Sequence, residues 1–441
     1  MKPQFKQIPS SIVAPRGFLA AGVFCDLKRL GTGKGSNKGQ KRDLALIVSE
    51  VPATVAGMFT TNQVCAPPVK VCVERVRGGT AQALVVNSGN ANACTGKQGR
   101  QDALAMTACA ARELHMPPEH VLVGSTGRIG VRLPMDHVRA GIRLAAQGLG
   151  AEAAHAAQAV EAIMTSDTRP KQLAVEIKLG GKPVRIGGIC KGAGMIQPGM
   201  SAFGERPAAR PLHATMLAFL TTDAAVARAP LQAALKQAVA QSFNRITVDG
   251  DMSTNDTVLV LANALAGNPK LRLRTPDYRL FQSALNHVCL ELARMIVRDG
   301  EGVSRFVTIR LTGARSYVEA DAAARAVANS ALVKTSWCGG DPNWGRIIDA
   351  LGYSPAAILE EKVDLGYSAP GSRDVLWSLK RGQPTRATFK QLCAAVAARE
   401  FDLHIRLNVG RAGALIYAAD LTEDYVDFNK GDVSDPNSLG G

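Results

Sequence analysis

Short apolar runs rich in β-branched residues alternate with longer alanine-rich stretches along most of this chain, and that alternation limits the fold more than any other feature. Ala45-Leu-Ile-Val-Ser, Ala53-Thr-Val-Ala-Gly-Met-Phe-Thr and Ala83-Leu-Val-Val read as strands. Residues 100–115 and 135–164 carry apolar positions three and four apart and read as helices. Residues 172–190 read as a hairpin in which Leu-Ala-Val-Glu-Ile turns at Gly180-Gly181 into Val-Arg-Ile. Further helices are expected at about 229–243 and 276–297, the second ending in the turn Arg298-Asp-Gly-Glu-Gly. There is no repeat at solenoid spacing. Over 441 residues, enough for two or three lobes, this mixture implies an α/β chain built of α+β layers.

Composition removes several classes. With 46% hydrophobic and 20% charged residues, the chain is neither disordered nor fibrous. No apolar run reaches the roughly 18 residues of a membrane helix. The first residues do not form a secretion signal or an organellar presequence, so a cytoplasmic protein is expected, with no membrane partner. The nine cysteines form no CxxC pair, which argues against a zinc site or a disulfide framework; reduced, mostly buried thiols and no metal are expected. The net charge of +15 is dispersed. Its one dense patch, Gly31-Thr-Gly-Lys-Gly-Ser-Asn-Lys-Gly-Gln-Lys-Arg, has no interleaved aromatics, so nucleic-acid binding ranks far below an enzyme with a basic surface. The same patch lacks the order GxxxxGK followed by Ser or Thr, and is not a P-loop. Residues 201–213 read as an exposed loop, and the chain from Lys430 onward as a loose tail.

Seven clusters rich in glycine and hydroxyls stand out, among them Asn87-Ser-Gly-Asn-Ala-Asn, Gly124-Ser-Thr-Gly, Lys191-Gly-Ala-Gly and Asp249-Gly-Asp-Met-Ser-Thr-Asn-Asp-Thr. Each by itself is ordinary turn chemistry. A Ser-His-Asp triad is poorly supported: GxSxG is absent and no histidine sits in a glycine-rich context. A hydroxyl nucleophile then needs another base. An N-terminal threonine has one in its own α-amine, whose pKa is about 7.7–8.0. Ala214-Thr215 follows the exposed loop and precedes an apolar run, as a cut that frees such an amine would require; the competing reading is an N-cap on an apolar helix. Thr126-Gly127 offers a hydroxyl and a backbone N–H to an oxyanion, or is a plain turn before Ile129. Lys191 is either an electrostatic partner near such a site or a solvated lysine.

From Ala14 to Ser434 the sequence resembles the glutamate N-acetyltransferases, also called ornithine acetyltransferases. The resemblance is carried by Phe59-Thr-Thr-Asn, Asn87-Ser-Gly-Asn-Ala-Asn-Ala-Cys-Thr-Gly, Ser125-Thr-Gly-Arg-Ile-Gly, Met164-Thr-Ser-Asp-Thr-Arg-Pro-Lys and Lys191-Gly-Ala-Gly-Met-Ile-Gln-Pro. It continues in Ala214-Thr-Met-Leu-Ala-Phe-Leu-Thr-Thr-Asp-Ala, Asp249-Gly-Asp-Met-Ser-Thr-Asn-Asp-Thr, Arg298-Asp-Gly-Glu-Gly and Trp337-Cys-Gly-Gly-Asp-Pro-Asn-Trp-Gly-Arg. It implies a self-processing fold with an N-terminal nucleophile, cut between Ala214 and Thr215 into an α chain, 1–214, and a β chain, 215–441, that pair as α2β2. Thr215 would be the nucleophile and Thr126 and Gly127 the oxyanion hole. Thr165, Lys191, Thr215, Glu301, Asn429 and Ser434 would bind substrate.

The implied reaction is a ping-pong transfer in arginine biosynthesis: N2-acetyl-L-ornithine acetylates Thr215, and L-glutamate takes the acetyl group. No cofactor is implied, and no motif decides whether acetyl-CoA also serves as a donor. Two stretches depart from the family pattern. Residues 201–213 are an insertion ahead of the cut, which bears on how efficiently the chain cuts itself, and the filler between Asn429 and Ser434 together with the 435–441 tail is unusual. The competing reading is an N-terminal-nucleophile peptidase or amidohydrolase that uses water in the second step.

Overall fold

The computed structural model describes residues 5–32, 41–204 and 216–430. Most of the 31–42 patch, most of the 201–213 loop, Ala214, Thr215 and Ser434 lie outside the described residues. In chain order the strands are β1 (Lys6–Ile8), β2 (Phe18–Val23), β3 (Leu44–Thr60), β4 (Thr80–Asn90), β5 (Val121–Arg128), β6 (Lys171–Leu179), β7 (Lys182–Lys191), β8 (Met200–Ser201) and β9 (Leu217–Thr222). They continue as β10 (Ile246–Thr247), β11 (Thr257–Ala262), β12 (Phe306–Ala314), β13 (Asp364–Ser368), β14 (Leu376–Lys380), β15 (Gln383–Pro384), β16 (Glu400–Arg406) and β17 (Ala412–Ala419). Among the described residues these make two sheets. The first runs β1-β6-β7-β9-β11-β3-β4-β5, with β2 and β8 also paired to β3; the second runs β10-β17-β12-β16-β13-β14-β15.

The two strands expected at 45–49 and 53–60 are one long strand, β3. Its pairing with β4 shifts register between Val48 and Ala53, around Pro52, which has no N–H to give to the ladder. Beyond this point the first sheet folds over itself. A Cβ added to Gly124 of β5 would lie 3.4 Å from the Phe219 ring of β9. Leu217, Phe219, Leu259 and Leu261 face a core shared with Val85 and Val123. The alternate residues Ala218, Leu220, Val258 and Val260 face a second core, against the helices Arg228–Gln241 and Pro276–Arg298. The helices Pro67–Val76, Gly96–Glu113 and Met135–Gln147 cover the outside of the β4–β5 half. Helix, sheet half, sheet half, helix is therefore the order of layers, and burial on both faces explains why β9 and β11 read as unbroken apolar runs.

That burial also settles the apolar stretch after Thr215. Its periodicity fits a buried helix or a buried strand equally well; it is β9, six residues all buried, parallel to β11 and antiparallel to β7. The 172–190 hairpin forms as expected, turning at Gly180 and Gly181 with φ of 54° and 78°, the geometry glycine adopts without strain. The 135–164 stretch breaks at Gly148 into Met135–Gln147 and Ala153–Ile163. Ser201, expected in the loop, pairs with Phe59. The second sheet packs one face against the helices Tyr317–Asn329, Ala331–Cys338, Trp344–Gly352 and Phe389–Val396. All nine cysteines are free; Cys94 is exposed. No helix among the described residues is long and apolar enough to cross a membrane.

Candidate active site

The fold of the first sheet brings strand ends from both halves to one place. Lys191, the last residue of β7, is buried and donates from Nζ to Thr126 Oγ1 of β5 at 3.2 Å. Burial pushes the Lys191 ammonium below the ordinary lysine range, with Asp167 pulling the other way. Thr126 is buried, whereas the next residue, Gly127, is exposed. Gly127 has φ 130°, and a Cβ there would lie 2.3 Å from the Gly89 carbonyl carbon. Only glycine fits this strand end, and its N–H and the Thr126 hydroxyl lie at the edge of the buried site. Thr126 and Gly127 belong to the end of β5, which excludes the alternative of a plain turn there.

Three expected substrate residues, Thr165, Lys191 and Glu301, are tied together by neighbours that the sequence reading left without a role. Asp167 accepts from Lys171 Nζ at 2.6 Å, from Gly192 N at 2.7 Å and from Thr165 N at 3.0 Å. Lys171 Nζ also donates to Asp299 at 2.5 Å, and Asp299 accepts from the N–H groups of Thr168 and Arg169 at 3.1 and 3.2 Å and from the Thr168 hydroxyl. The side chains of Asp167, Lys171 and Asp299 are 0%, 1% and 6% exposed. Burial alone would raise the Asp167 carboxyl; the Lys171 and Lys191 charges and the Gly192 N–H outweigh it and hold the group at about 2. Burial alone would lower Lys171, but the two carboxylates raise it. Such a buried cluster is tolerable only when every member is paired.

Glu301 follows Asp299 by two residues, and its N–H donates to Ala193 O at 3.0 Å. A Cβ on Gly194 would come within 2.4 Å of the Glu301 carboxylate, so this glycine makes room for Glu301. Asn429 is exposed, at the end of the helix Glu423–Phe428, and donates from Nδ2 to Glu301 Oε2 at 3.0 Å. Thr422, which caps that helix by accepting from Tyr425 N, donates its hydroxyl to Gly302 O at 2.6 Å and docks the helix beside Glu301. Thr126, Gly127, Thr165, Lys191, Glu301 and Asn429 therefore belong to one linked region. Ala214, Thr215 and Ser434 lie outside the described residues. Met216, bonded to Thr215, donates its N–H to the buried Asp256, and Leu217 pairs with Lys191.

Asp167, Lys171, Asp256 and Asp299 all stand inside the motifs that carry the family resemblance. A lysine four residues after an aspartate was the one signal the sequence offered for the brace. A separate cleft of about 440 Å³ opens on the second sheet, lined by Arg245, Arg310, His404 and Arg406 among others. Burial, with Arg310 and Arg406 and against Asp402, lowers His404 below the usual histidine range. None of the expected site residues lines this cleft.

Residues 29–431 match the family model described as the ArgJ family. The chain is 46% identical to the arginine biosynthesis bifunctional protein ArgJ of Symbiobacterium thermophilum over 424 residues, covering 96% of this chain and 98% of that one. It is 44% identical to the protein of the same name from Geobacter sulfurreducens, over 94% of this chain and 98% of that one. Among solved structures, ornithine acetyltransferase from Mycobacterium tuberculosis, complexed with ornithine, is 36% identical over 45% of this chain and 100% of that chain, with a TM-score of 0.40. Family match, whole-length identity and the clustering of the motif residues agree: this chain belongs to the ArgJ family.

Proposed function

We propose that this chain is an acyltransferase of arginine biosynthesis that moves an acetyl group from N2-acetyl-L-ornithine to L-glutamate through an acetyl ester on Thr215. The observation that carries the reading is the meeting of Lys191 and Thr126 beside the start of β9, in a chain of this family. The precursor cuts itself between Ala214 and Thr215, and the freed α-amine is the base for the adjacent hydroxyl. Thr215 Oγ attacks the acetyl carbonyl, and the Thr126 hydroxyl and Gly127 N–H receive the oxyanion. Ornithine leaves with the proton. Glutamate then attacks the ester through its amine, and N-acetylglutamate departs.

Lys191 suits the substrate carboxylate, and Glu301 with Asn429 the amino groups. Ser434 is the remaining substrate-binding residue of this reading. The reaction needs no cofactor; acetyl-CoA is a second donor that fits the bifunctional name of the relatives. The α and β chains pair as α2β2 in the cytoplasm.

The test is mass spectrometry of the purified protein together with an acetyl-transfer assay. Two chains, the second beginning at Thr215, and labelled acetyl recovered on glutamate are expected. Thr215→Ala is expected to remain one chain without transfer. An intact chain that transfers acetyl would overturn the mechanism, and acetate in place of N-acetylglutamate would favour the amidohydrolase.

A further inference from the structure

The open face of the second sheet carries a group of cations that the acetyl transfer does not use. Val307, Ile309 and Leu311 of β12 and Phe401, Leu403 and Ile405 of β16 belong to the core under the helices. Side chains alternate along a strand, so Arg310, Thr312, His404 and Arg406 stand on the other face. The register of β12 with β16 sets Arg310 against His404 and Thr312 against Arg406. On the far side of β12, Gly413 of β17 lies opposite Thr312 and adds no side chain. Arg245, the residue before β10, joins them around the cleft of about 440 Å³.

These guanidiniums are short of anions. Arg310 Nε donates to Asp402 Oδ2 at 2.6 Å, an oxygen that also accepts from Gly371 N at 2.8 Å. Among the described residues the other nitrogens of Arg310 have no acceptor, and neither Arg245 nor Arg406 has a carboxylate partner. Both are nevertheless held in place. Arg245 Nε donates to Ala240 O at 3.1 Å, and Arg406 lies 4.6 Å from the centroid of the Trp377 ring. Ser368 gives its hydroxyl proton to Ala369 O at 3.0 Å and so accepts from His404 Nε2 at 2.9 Å, which fixes that ring as well. The charges of Arg310 and Arg406 both reach His404, and those of Arg310 and Arg245 both reach Tyr417. Like charges gathered this closely repel, and a bound anion removes that cost.

We propose that this cleft binds the phosphate group of a small anionic molecule, as a site separate from the one that transfers acetyl. The arginine forks come from β12, from β16 and from ahead of β10. One fork satisfies a carboxylate, whereas the oxygens of a phosphate can engage several. The Thr312 hydroxyl is a further, neutral donor. The volume is in the range of small-molecule sites and leaves room for the rest of a phosphate ester. A nucleic-acid strand suits it less well, because the ring beside Arg406, Trp377, is already engaged by that arginine and by Lys380 Nζ at 3.7 Å. Nothing in this inference depends on Thr215.

The experiment is isothermal titration calorimetry of the full-length protein at low salt, with inorganic phosphate, glycerol 3-phosphate and succinate as probes. Saturable binding of phosphate or its ester is expected, with a Kd of about 1 mM or tighter, whether or not N-acetylornithine is present at saturation. Tighter binding of the ester assigns the site to a phosphorylated metabolite, and equal binding of the two assigns it to free phosphate. R245Q and R406Q are each expected to raise that Kd roughly 10-fold. R279Q removes the same charge from an exposed position near the start of the helix Pro276–Arg298 and should leave Kd within about twofold. If R406Q does not fold, R406K, which keeps the charge and loses the fork, replaces it. The absence of saturable heat up to about 10 mM of either phosphate would overturn the proposal. So would succinate binding as tightly as phosphate, displacement of phosphate by N-acetylornithine, or an R279Q effect equal to that of R406Q, which would mean diffuse surface charge.

Discussion

Lys171 and Asp299 stand 128 residues apart in the chain and meet as a buried ion pair, Nζ to Oδ2 at 2.5 Å. Asp167 completes the group: it holds Thr165 and Gly192, while Asp299 ties the turn that leads to Glu301 to Thr168 and Arg169. The brace converts three separate loops into one rigid floor. Removing one member leaves an uncompensated buried charge, a loss of about 3–5 kcal/mol. Asp299→Ala is therefore expected to lower the melting temperature strongly in a calorimetric scan, and Asp299→Asn less. Equal melting of parent and Asp299→Ala would show that the pair is structurally idle.

The same brace sets an acid limit. The Asp167 carboxyl sits at about 2 in the folded chain and near 4 when unfolded. A depressed carboxyl contributes its stability above the unfolded value and loses it as pH falls. Stability should hold above about pH 4 and decline from there down through about pH 2. Asp167→Asn should flatten that decline in an acid-unfolding curve read by circular dichroism.

Gly127→Ala places a methyl group against the Gly89 carbonyl carbon and demands a left-handed φ of alanine. The strand end has to shift, and with it the N–H proposed to receive the oxyanion. A fall in kcat of roughly 10²-fold is expected, the usual effect of losing one such donor. KM should stay near the parent value. A variant that lost affinity and kept kcat would argue that Gly127 lines the substrate pocket only.

Asn429 is exposed and touches Glu301 from the last turn of a short helix. Asn429→Ala leaves the buried floor intact. Self-cleavage should be complete by mass spectrometry, while KM for N-acetylornithine rises by roughly threefold to tenfold, the range of one ordinary hydrogen bond.

Much of the fold was legible in the sequence, for reasons that differ from element to element. The 172–190 hairpin announced itself through two apolar runs on either side of Gly180-Gly181, and the Pro276–Arg298 helix through its apolar stripe and closing turn. β9 did not, because a strand buried on both faces has no polar alternation to show. β3 was read as two strands because Glu50 and Pro52 interrupt its pattern, although the pairing to β4 continues past them with a shifted register. At the site, Thr126, Lys191 and Glu301 were found through the motifs. Their juxtaposition was not, since it depends on the sheet folding over itself, a long-range event that no local window records. The roles of Asp167, Lys171 and Asp299 are likewise properties of burial, and burial of a charged side chain is not written in its neighbours.

If the chain is cut before Thr215 as proposed, β9 and β11 stay seated between β7 and β3. The two strands come from the portion after Thr215, and as a pair they are flanked by strands from the portion before it. The junction between the two proposed chains would thus be a hydrogen-bonded ladder formed while the polypeptide is still continuous, and not a surface on which two finished bodies dock. Dilution has nothing to separate short of melting the whole layer. Two damaged copies, one altered before the cut and one after, should fail to exchange halves and restore activity when mixed as mature enzymes, and should do so only if unfolded and refolded together.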